Sequence, residues 1–258
     1  MTLTTNNIFQ QSSNIISSMP QTKRVVFVND SFDRENSVRE INANFSVPVT
    51  VETKILNWQV LSGAGIKQQC LERLSGNKSR LSSLAQFPAG RAFKKFGHKG
   101  GEELLVLSGI FSDADGDYGA GCYVRNPPGT YHQPFTRDGC TVLFKLGQFQ
   151  PMDRKRLVIN TRGTASKWQH AGEPGVSRQE LHHFAEEEVS LHRIHPECWV
   201  TFKLQSQGLE VFVCEGPVSE SGNLYSAGSW MRYPAGSKVK ISSKGGACLY
   251  VKKSIFPL

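Results

Sequence analysis

The chain has 258 residues, of which 38% are hydrophobic and 20% charged, and a formal net charge of +8. These values are typical of a globular protein with one large or two small domains. The Lys and Arg residues are dispersed, which favours ordinary surface charge over a nucleic-acid interface, and no run approaches the roughly 20 apolar residues of a membrane span.

The six cysteines include no C-x-x-C pair, so neither a thiolate zinc cluster nor a thioredoxin-like motif is indicated. Residues 1–20 lack the basic start and the apolar centre of a signal peptide. We therefore expect a reduced, cytoplasmic protein that contacts neither membranes nor nucleic acid.

Residues 1–22 are polar and low in charge, which predicts a disordered or loosely attached leader. From residue 23 onward, β-branched and aromatic runs such as "ELLVLSGIFS" alternate with turns rich in Gly, Pro, Asn and Asp. This pattern predicts an all-β protein. Residues 177–194, "SRQELHHFAEEEVSLHRI", fit a helix or a strand pair with a charged turn, and both alternatives stay open.

The two halves of the chain repeat one another. Residues 84–145 align without gaps with residues 191–252 at an offset of 107, and turn glycines recur in register. Upstream the offset is 110, so the second copy is three residues shorter between the two blocks. Glycines recurring in register mark turns that are built the same way twice. We predict two lobes, residues 23–150 and 151–258, whose Trp-containing leading arms are open to exchange between the lobes.

Two spaced motifs in the first half carry candidate chemistry. The first consists of Gly90, Phe96, His98, Glu102 and Gly109, and the second of Gly121, Pro127, Gly129 and His132. In these positions the chain resembles the cupin superfamily. The wider stretch from "GHKGGEELLVLSG" to "NPPGTYHQPF" is similar to the cupin domains of ChrR-type anti-sigma factors and of their bicupin relatives. Phe96 stands where the first motif histidine belongs, and Thr136 stands where the closing asparagine belongs.

The resemblance implies two tandem jelly-roll β-barrels related by a pseudo-twofold axis, with one metal site in the first barrel. His98, Glu102 and His132 are its candidate ligands. A carboxylate that begins an interior strand needs a compensating cation, and the Pro-Pro-Gly turn can deliver His132 to the same cavity. Two imidazoles and one carboxylate suit non-haem Fe, and they also accommodate Zn, Mn or Ni.

Residues around this site have weaker assignments. Glu103 alternates to the opposite strand face, which predicts a surface or interface carboxylate. Tyr131, Gln133 and Cys140 are candidate polar neighbours of the cavity. Phe96 cannot coordinate a metal, so it indicates either a vacant coordination position or a weakened site.

The second half lacks these ligands. At the offset of 107, its residues in the ligand positions are Gln205, Leu209 and Val239. We therefore predict a structural lobe with an apolar interior. A group of histidines in its leading segment fits no metal-site spacing and is expected to be structural or at the surface; it comprises His182, His183, His192 and His195.

Three functions remain open. The resemblance to bicupins implies a metal-dependent dioxygenase acting on a small diketone- or hydroxyketone-like substrate. A ligand-sensing or regulatory role and a non-catalytic binding role are the alternatives. The anti-sigma role depends on a His/Cys zinc-binding domain, and residues 1–40 contain neither His nor Cys, so that role is not carried over. A small molecule is the expected partner, and homo-oligomerisation is left open.

Overall fold

The computed structural model describes residues 39–61, 65–76, 79–93, 96–164 and 167–257. The predicted leader, residues 1–22, lies outside the described residues, as do residues 23–38 at the start of the predicted first lobe. Strands dominate the described chain, and Thr53–Ile55 form a 3-10 turn. None of the helical structure in these ranges is long or apolar enough to cross a membrane.

The strands follow one another in two similar series. The first series is β1 (Val49–Glu52), β2 (Gln59–Val60), β3 (Lys67–Leu74), β4 (Arg80–Phe87), β5 (Arg91–Ala92), β6 (Phe96–Gly97), β7 (Glu102–Asp113), β8 (Gly116–Gly119), β9 (Cys122–Asn126), β10 (Tyr131–His132), β11 (Phe135–Thr136) and β12 (Cys140–Leu146). The second series is β13 (Leu157–Asn160), β14 (Gln169–His170), β15 (Val176–Phe184), β16 (Glu187–Ile194), β17 (Cys198–Lys203), β18 (Gly208–Glu215), β19 (Val218–Glu220), β20 (Asn223–Tyr225), β21 (Ser229–Tyr233), β22 (Lys238–Ser243) and β23 (Ala247–Ser254).

Each lobe is built on one large antiparallel sheet. In the first lobe the strand order is β13-β9-β7-β12-β4-β3-β2, with β5, β8 and β11 attached at its side and a separate β6–β10 ribbon. In the second lobe the order is β1-β21-β18-β23-β16-β15-β14, and a four-stranded sheet, β17-β22-β19-β20, closes the barrel. The predicted all-β fold of two jelly-roll lobes is confirmed.

The leading arms are exchanged between the lobes. Strand β1 of the first half pairs with β21 of the second lobe, with Val49 opposite Arg232. Strand β13 of the second half pairs with β9 of the first lobe, with Leu157 opposite Arg125. Positions 125 and 232 are equivalent in the repeat, so both arms make the same pairing, as a pseudo-twofold axis requires. The exchange considered from the sequence is found for β1 and β13, whereas β2 and β14, which directly follow Trp58 and Trp168, pair within their own lobes.

Each large sheet is buried on both of its faces. One face of the sheet lines the barrel of its own lobe, and the opposite face packs against the other lobe. Along β7, Leu104 and Val106 pack in the first-lobe barrel, whereas Leu105 packs in the core between the lobes. Along β18, Val211 packs in the second barrel and Phe212 in the same interlobe core. The period of two along each strand produces this division.

The ambiguous stretch at residues 177–194 is a strand pair. Strands β15 and β16 are antiparallel neighbours, and Ala185 in their turn has a φ of 49°. The equivalent strands of the first lobe, β3 and β4, have a connection three residues longer, which accounts for the change of offset. Cross-strand pairing outweighed the helical alternative here, because both strands lie in the interlobe sheet.

Buried charges cross the interface between the lobes. Glu103 Oε2 accepts hydrogen bonds from Arg125 Nη1 at 3.0 Å and from Lys252 Nζ at 2.6 Å. The pair related to Glu103 and Lys252 by the repeat is Glu210 and Lys145, and these two residues also form a salt bridge. Each lobe therefore supplies one lysine to the glutamate of the other. Glu103 is the interface carboxylate that strand alternation predicted.

These charges remain ionised because they are paired. Burial opposes the ionisation of Glu103, but the charges of Lys252 and Arg125 outweigh it and hold the pKa of the carboxyl well below its usual range. Breaking a buried ion pair leaves an uncompensated charge and costs about 3–5 kcal/mol. The interface is therefore sensitive to loss of any one partner.

Candidate metal centre

His98 and Glu102 lie on the two sides of a tight turn between β6 and β7. Gly101, in this turn, has a φ of +79°, in the left-handed region that glycine adopts without strain. A Cβ atom at that position would lie 2.2 Å from the ring of Phe149. A larger residue is therefore excluded on two grounds, and the glycine turn sets Glu102 at the start of β7, as predicted.

A second turn brings His132 to the same place. The backbone N–H of Gly129 donates to the carbonyl of His98 at 2.9 Å, and the N–H of His98 donates to the carbonyl of Thr130 at 3.0 Å. The two turns are thereby fastened to each other. Beyond them β10 pairs with β6, which places His132 directly opposite Phe96.

The structure brings the three candidate ligands together. One nitrogen of each imidazole and one oxygen of Glu102 all lie within 4.8 Å of one another. Glu102 Oε2 is 3.4 Å from His132 Nε2 and 3.7 Å from His98 Nε2. His98 and Glu102 are 3% and 1% exposed, and His132 is partly buried. Metal–ligand bonds of about 2.0–2.2 Å require ligand atoms this close together.

Asp113, the last residue of β7, orients His132. Asp113 Oδ2 lies 3.0 Å from His132 Nδ1. The other carboxylate oxygen accepts hydrogen bonds from the Tyr118 hydroxyl at 2.9 Å and from the backbone N–H of Asp115 at 2.8 Å. An ionised carboxylate only accepts, so neutral His132 carries its proton on Nδ1 and turns the lone pair of Nε2 toward Glu102. Carboxylates behind metal-binding histidines act in this way.

Only one of the two carboxylate oxygens of Glu102 accepts a hydrogen bond from the residues that the structure describes. Asn126 Nδ2 donates to Glu102 Oε2 at 2.8 Å. Glu102 Oε1 is buried, and within the part of the chain that the structure describes no donor reaches it. A buried carboxylate oxygen without a partner is costly. A cation bound between Glu102 and the imidazoles would remove that cost, so the residues present fit a metal ion.

The two imidazoles differ in pKa. Burial lowers the pKa of His98, and the nearby carboxylate of Glu102 does not compensate. Burial also disfavours the charged form of His132, but hydrogen bonds and charge from Glu102 and Asp113 outweigh it and raise the pKa of His132. Burial also disfavours ionisation of Asp113, but hydrogen bonds with His132, the backbone N–H of Asp115 and the Tyr118 hydroxyl hold the pKa of Asp113 below its ordinary value. Without metal, His132 is therefore the imidazole that protonates first.

Position 96 supplies no fourth ligand. Phe96 is the register partner of His132 in the β6–β10 ribbon, and a phenyl group has no lone pair to give a metal. A metal held by three protein ligands keeps coordination positions for water or a substrate.

The ligands open into a small cavity. His98 and His132 line a space of about 240 Å³. The other lining residues are Asp113, Asp115, Asn126, Thr130, Tyr131 and Arg156. Arg156 directly precedes β13, so the exchanged arm contributes to the cavity of the first lobe. The Arg156 and Asp115 side chains are 41% and 62% exposed, which places them at its mouth.

The second lobe has hydrocarbon in the ligand positions. The sequence offset assigned Gln205 to the place of His98, and the carbonyl of Gln205 accepts from the N–H of Gly236 as that of His98 accepts from Gly129, but the Gln205 side chain is exposed. The backbone N–H of Leu204 bonds to the carbonyl of Ser237 as that of His98 bonds in the first lobe. Leu204, Leu209 and Val239 are all buried in the second-lobe core. The interior predicted to be apolar is packed with these side chains.

The other polar residues named from the sequence lie in different environments. Tyr131 is exposed and lines the cavity. Gln133 is exposed, and Cys140 is buried in the first-lobe core. Neither Gln133 nor Cys140 is among the residues that line the cavity.

The histidines of the second half are structural or exposed. His182 Nε2 lies 2.8 Å from Asp153 Oδ2 in the interlobe contact. His192 Nε2 lies 3.1 Å from the hydroxyl of Ser190, and burial lowers the pKa of His192 to about 3. His183 and His195 are exposed.

Sequence reasoning missed several residues that line the cavity, among them Asn126, Asp113 and Arg156. Asn126 directly precedes Pro127 of the second motif, and this adjacency was the one signal for it. Asp113 lies in "SDADGD", which has the composition of a solvated turn. Arg156 lies in the other half of the repeat, so only the exchanged arm reveals its position.

A known protein family matches the sequence of the first lobe. Residues 46–150 match the family model described as the ChrR cupin-like domain. No curated protein is significantly similar in sequence to the chain.

Solved structures of the same fold cover both lobes at low sequence identity. A candidate dioxygenase of Nostoc punctiforme is 12% identical, with a TM-score of 0.68 over 81% of this chain and 83% of that protein. A candidate glyoxylate-induced protein of Pseudomonas aeruginosa is 13% identical, with a TM-score of 0.67 over 90% of this chain and 99% of its own. The bacterial pirin YhhW of Escherichia coli, solved with nickel(II), is 12% identical, with a TM-score of 0.61 over 82% and 100%. At these identities the likeness shows the fold.

Proposed function

We propose that the protein holds one divalent transition metal at His98, Glu102 and His132, in the lobe whose residues 46–150 match the ChrR cupin-like domain. The observation that carries the proposal is the approach of three ligand atoms to within 4.8 Å inside the barrel. Fe, Zn, Mn and Ni all accept this donor set.

The surrounding residues prepare the ligands. Asp113 keeps the proton of His132 on Nδ1, so that Nε2 is free of a proton on the cavity side. Asn126 fixes the rotation of the Glu102 carboxylate through its bond to Oε2. A metal bound here would act as a Lewis acid toward substrate oxygens and, if redox-active, would supply electrons for O₂ chemistry.

We propose a dioxygenase acting on a small diketone- or hydroxyketone-like substrate as the most concrete activity. The cavity of about 240 Å³ is below the size of about 300–1,000 Å³ that is common for drug-sized ligands. Three protein ligands leave coordination positions for a substrate that binds through two oxygens. The expected partner is therefore a small molecule.

A ligand-sensing or regulatory protein without catalysis is the second candidate. The observation in its favour is Phe96 at the position of the fourth family ligand. Such a protein would bind the metal and a small molecule without consuming O₂. Oxygen uptake therefore separates the two candidates.

The test begins with protein purified without oxygen and supplied separately with Fe²⁺, Mn²⁺, Ni²⁺ and Zn²⁺. Elemental analysis should find one metal per chain for at least one of the ions, and none in His132→Ala. Val239→Ala is the matched control in the second lobe and should keep the metal. Two tightly bound ions per chain, or none with all four ions, would reject the site.

Oxygen uptake by the Fe-loaded protein is then measured with acetylacetone and with phenolic ketones. Uptake that needs both metal and substrate supports the dioxygenase. Binding of a ketone without uptake supports the sensing protein.

A further inference from the structure

Arg156 is the cation at the mouth of the metal cavity, and the proposed chemistry at His98, Glu102 and His132 does not use it. Its Nη2 donates to Asp115 Oδ2 at 2.7 Å and to the Tyr118 hydroxyl at 3.4 Å. Nη1 and Nε make no hydrogen bond to any residue that the structure describes. A guanidinium offers five N–H donors in a planar fork that matches a carboxylate.

The position of Arg156 is tied to the metal ligands through a chain of contacts. Tyr118, which Arg156 reaches, donates to Asp113 Oδ1 at 2.9 Å, and Asp113 Oδ2 is 3.0 Å from His132 Nδ1. Arg156 and both imidazoles line the same cavity of about 240 Å³. A small ligand that fills this cavity therefore lies against both the imidazoles and the guanidinium.

The present partner of Arg156 is easily displaced. Arg156 and Asp115 are 41% and 62% exposed, and exposed ion pairs contribute at most about 1 kcal/mol. With Asp115 turned to solvent, a divalent metal and Arg156 bring three positive charges into the cavity against two negative charges from Glu102 and Asp113. The cavity then accommodates one anionic group.

The second lobe lacks this residue as well as the ligands. The arms pair at equivalent positions, with Val49 and Leu157 opposite Arg232 and Arg125. The residue before Val49 is Pro48, where Arg156 precedes Leu157. The cationic mouth and the metal ligands therefore occur in the same lobe.

We propose that Arg156 binds a carboxylate of the substrate, which is thus a small oxo or hydroxy acid whose ketone or hydroxyl oxygens lie at the metal. This inference rests on the proposed metal site and narrows its substrate class from neutral ketones to acids.

The proposal is tested by comparing the binding of two diketones, only one of which has a carboxylate. The protein is loaded with Ni²⁺ so that binding is measured without turnover. Acetylacetone is neutral, whereas succinylacetone carries a carboxylate on a short tail. By calorimetric titration the unchanged protein should bind succinylacetone at least about tenfold more tightly, because charge-assisted hydrogen bonds contribute about 1.5–3 kcal/mol. Arg156→Gln should remove that preference and leave acetylacetone binding unchanged.

Two further variants test whether the preference for succinylacetone comes from Arg156 itself. Asp115→Asn removes the competing carboxylate and should tighten succinylacetone binding several-fold. Lys155→Gln makes the same change of charge beside the cavity, at an exposed residue that does not line it, and should have no effect.

The outcomes separate the two levels of inference. Equal preference for succinylacetone in Arg156→Gln and in the unchanged protein would overturn the role of Arg156 while the metal site stands. Binding of neither diketone to fully loaded protein would also overturn it. Failure of the protein to take up any metal would instead reject the proposed function, and this inference with it.

Discussion

The two lobes share the same arrangement of strands, turns and exchanged arms, yet one apolar barrel contains a small group of polar side chains and the other has hydrocarbon in the same positions. His98, Glu102 and His132 of the first lobe correspond to Leu204, Leu209 and Val239 of the second, and the second set is buried in a continuous core. The turn glycines are common to both, for example Gly129 and Gly236, with φ of 87° and 78°. Framework and chemistry are therefore separable in this fold: turns and interlobe strands fix the barrel, and a few inward side chains decide its content.

Exchanging the carboxylate between lobes should give the largest difference in stability. Leu209→Glu places a charge without a partner in hydrocarbon and should lower the free energy of unfolding by at least about 4 kcal/mol. Glu102→Leu in the metal-free protein should cost far less, because it removes a buried charge. Urea unfolding of both variants without metal checks this. Similar losses in the two would mean that the barrels are equivalent environments.

The interface carboxylates should behave alike in the two lobes, unlike the site residues. Glu103→Gln and Glu210→Gln each remove one side of a buried ion pair and should each lower the free energy of unfolding by about 3–5 kcal/mol. A loss of unfolding free energy in only one of the two variants would show that the two interface ion pairs are not equivalent.

Acid should weaken the same interface. The pKa of Glu103 is held below its usual range in the folded state, so its stabilising contribution is complete above its unfolded pKa of about 4.3 and is lost as the pH falls below that value. Urea unfolding between pH 7 and pH 3 should show a decline that is smaller in Glu103→Gln. An identical decline in that variant would assign the acid sensitivity to other groups.

Substitutions at equivalent positions of the two lobes should differ in their effect on metal binding. His132→Ala should weaken metal binding at least about 100-fold, since an imidazole ligand is lost and Asp113 loses its partner. Val239→Ala should keep the metal and lower the free energy of unfolding by about 2 kcal/mol, because it leaves a small cavity. Competition with a chromogenic chelator measures the first effect, and urea unfolding the second.

Placing a histidine at position 96, where the family motif has one, should change metal affinity least among these substitutions. Opposed residues of an antiparallel pair have Cβ atoms about 4.5–5.5 Å apart, so Phe96→His begins directly opposite His132 and should tighten metal binding about tenfold. In the second lobe, Phe202 is opposite Val239, and Phe202→His should bind no metal. Lower oxygenase activity in Phe96→His would show that the vacant position serves catalysis, and higher activity that Phe96 marks a weakened site.

The fold and the convergence of the three candidate ligands could be predicted from the sequence because both depend on local spacing. The turn at Gly101 and the turn before His132 are encoded within a few residues of the side chains they position. Asp113 could not be predicted, because it reaches His132 only after the 12-residue strand β7 has crossed the barrel. The offset also did not show that the buried side chain beside Gln205 is that of Leu204.

The exchanged arms also bear on how such a chain arises. The sheet of the first lobe is completed by Leu157–Asn160, and that of the second by Val49–Glu52. A polypeptide with one lobe would expose the open edge of β9 unless a second copy filled it, so the ancestral unit of a duplication would be an arm-swapped homodimer. Joining the copies in one gene frees each half to mutate separately. One half can then lose its ligands while its arm still supplies Arg156 to the other.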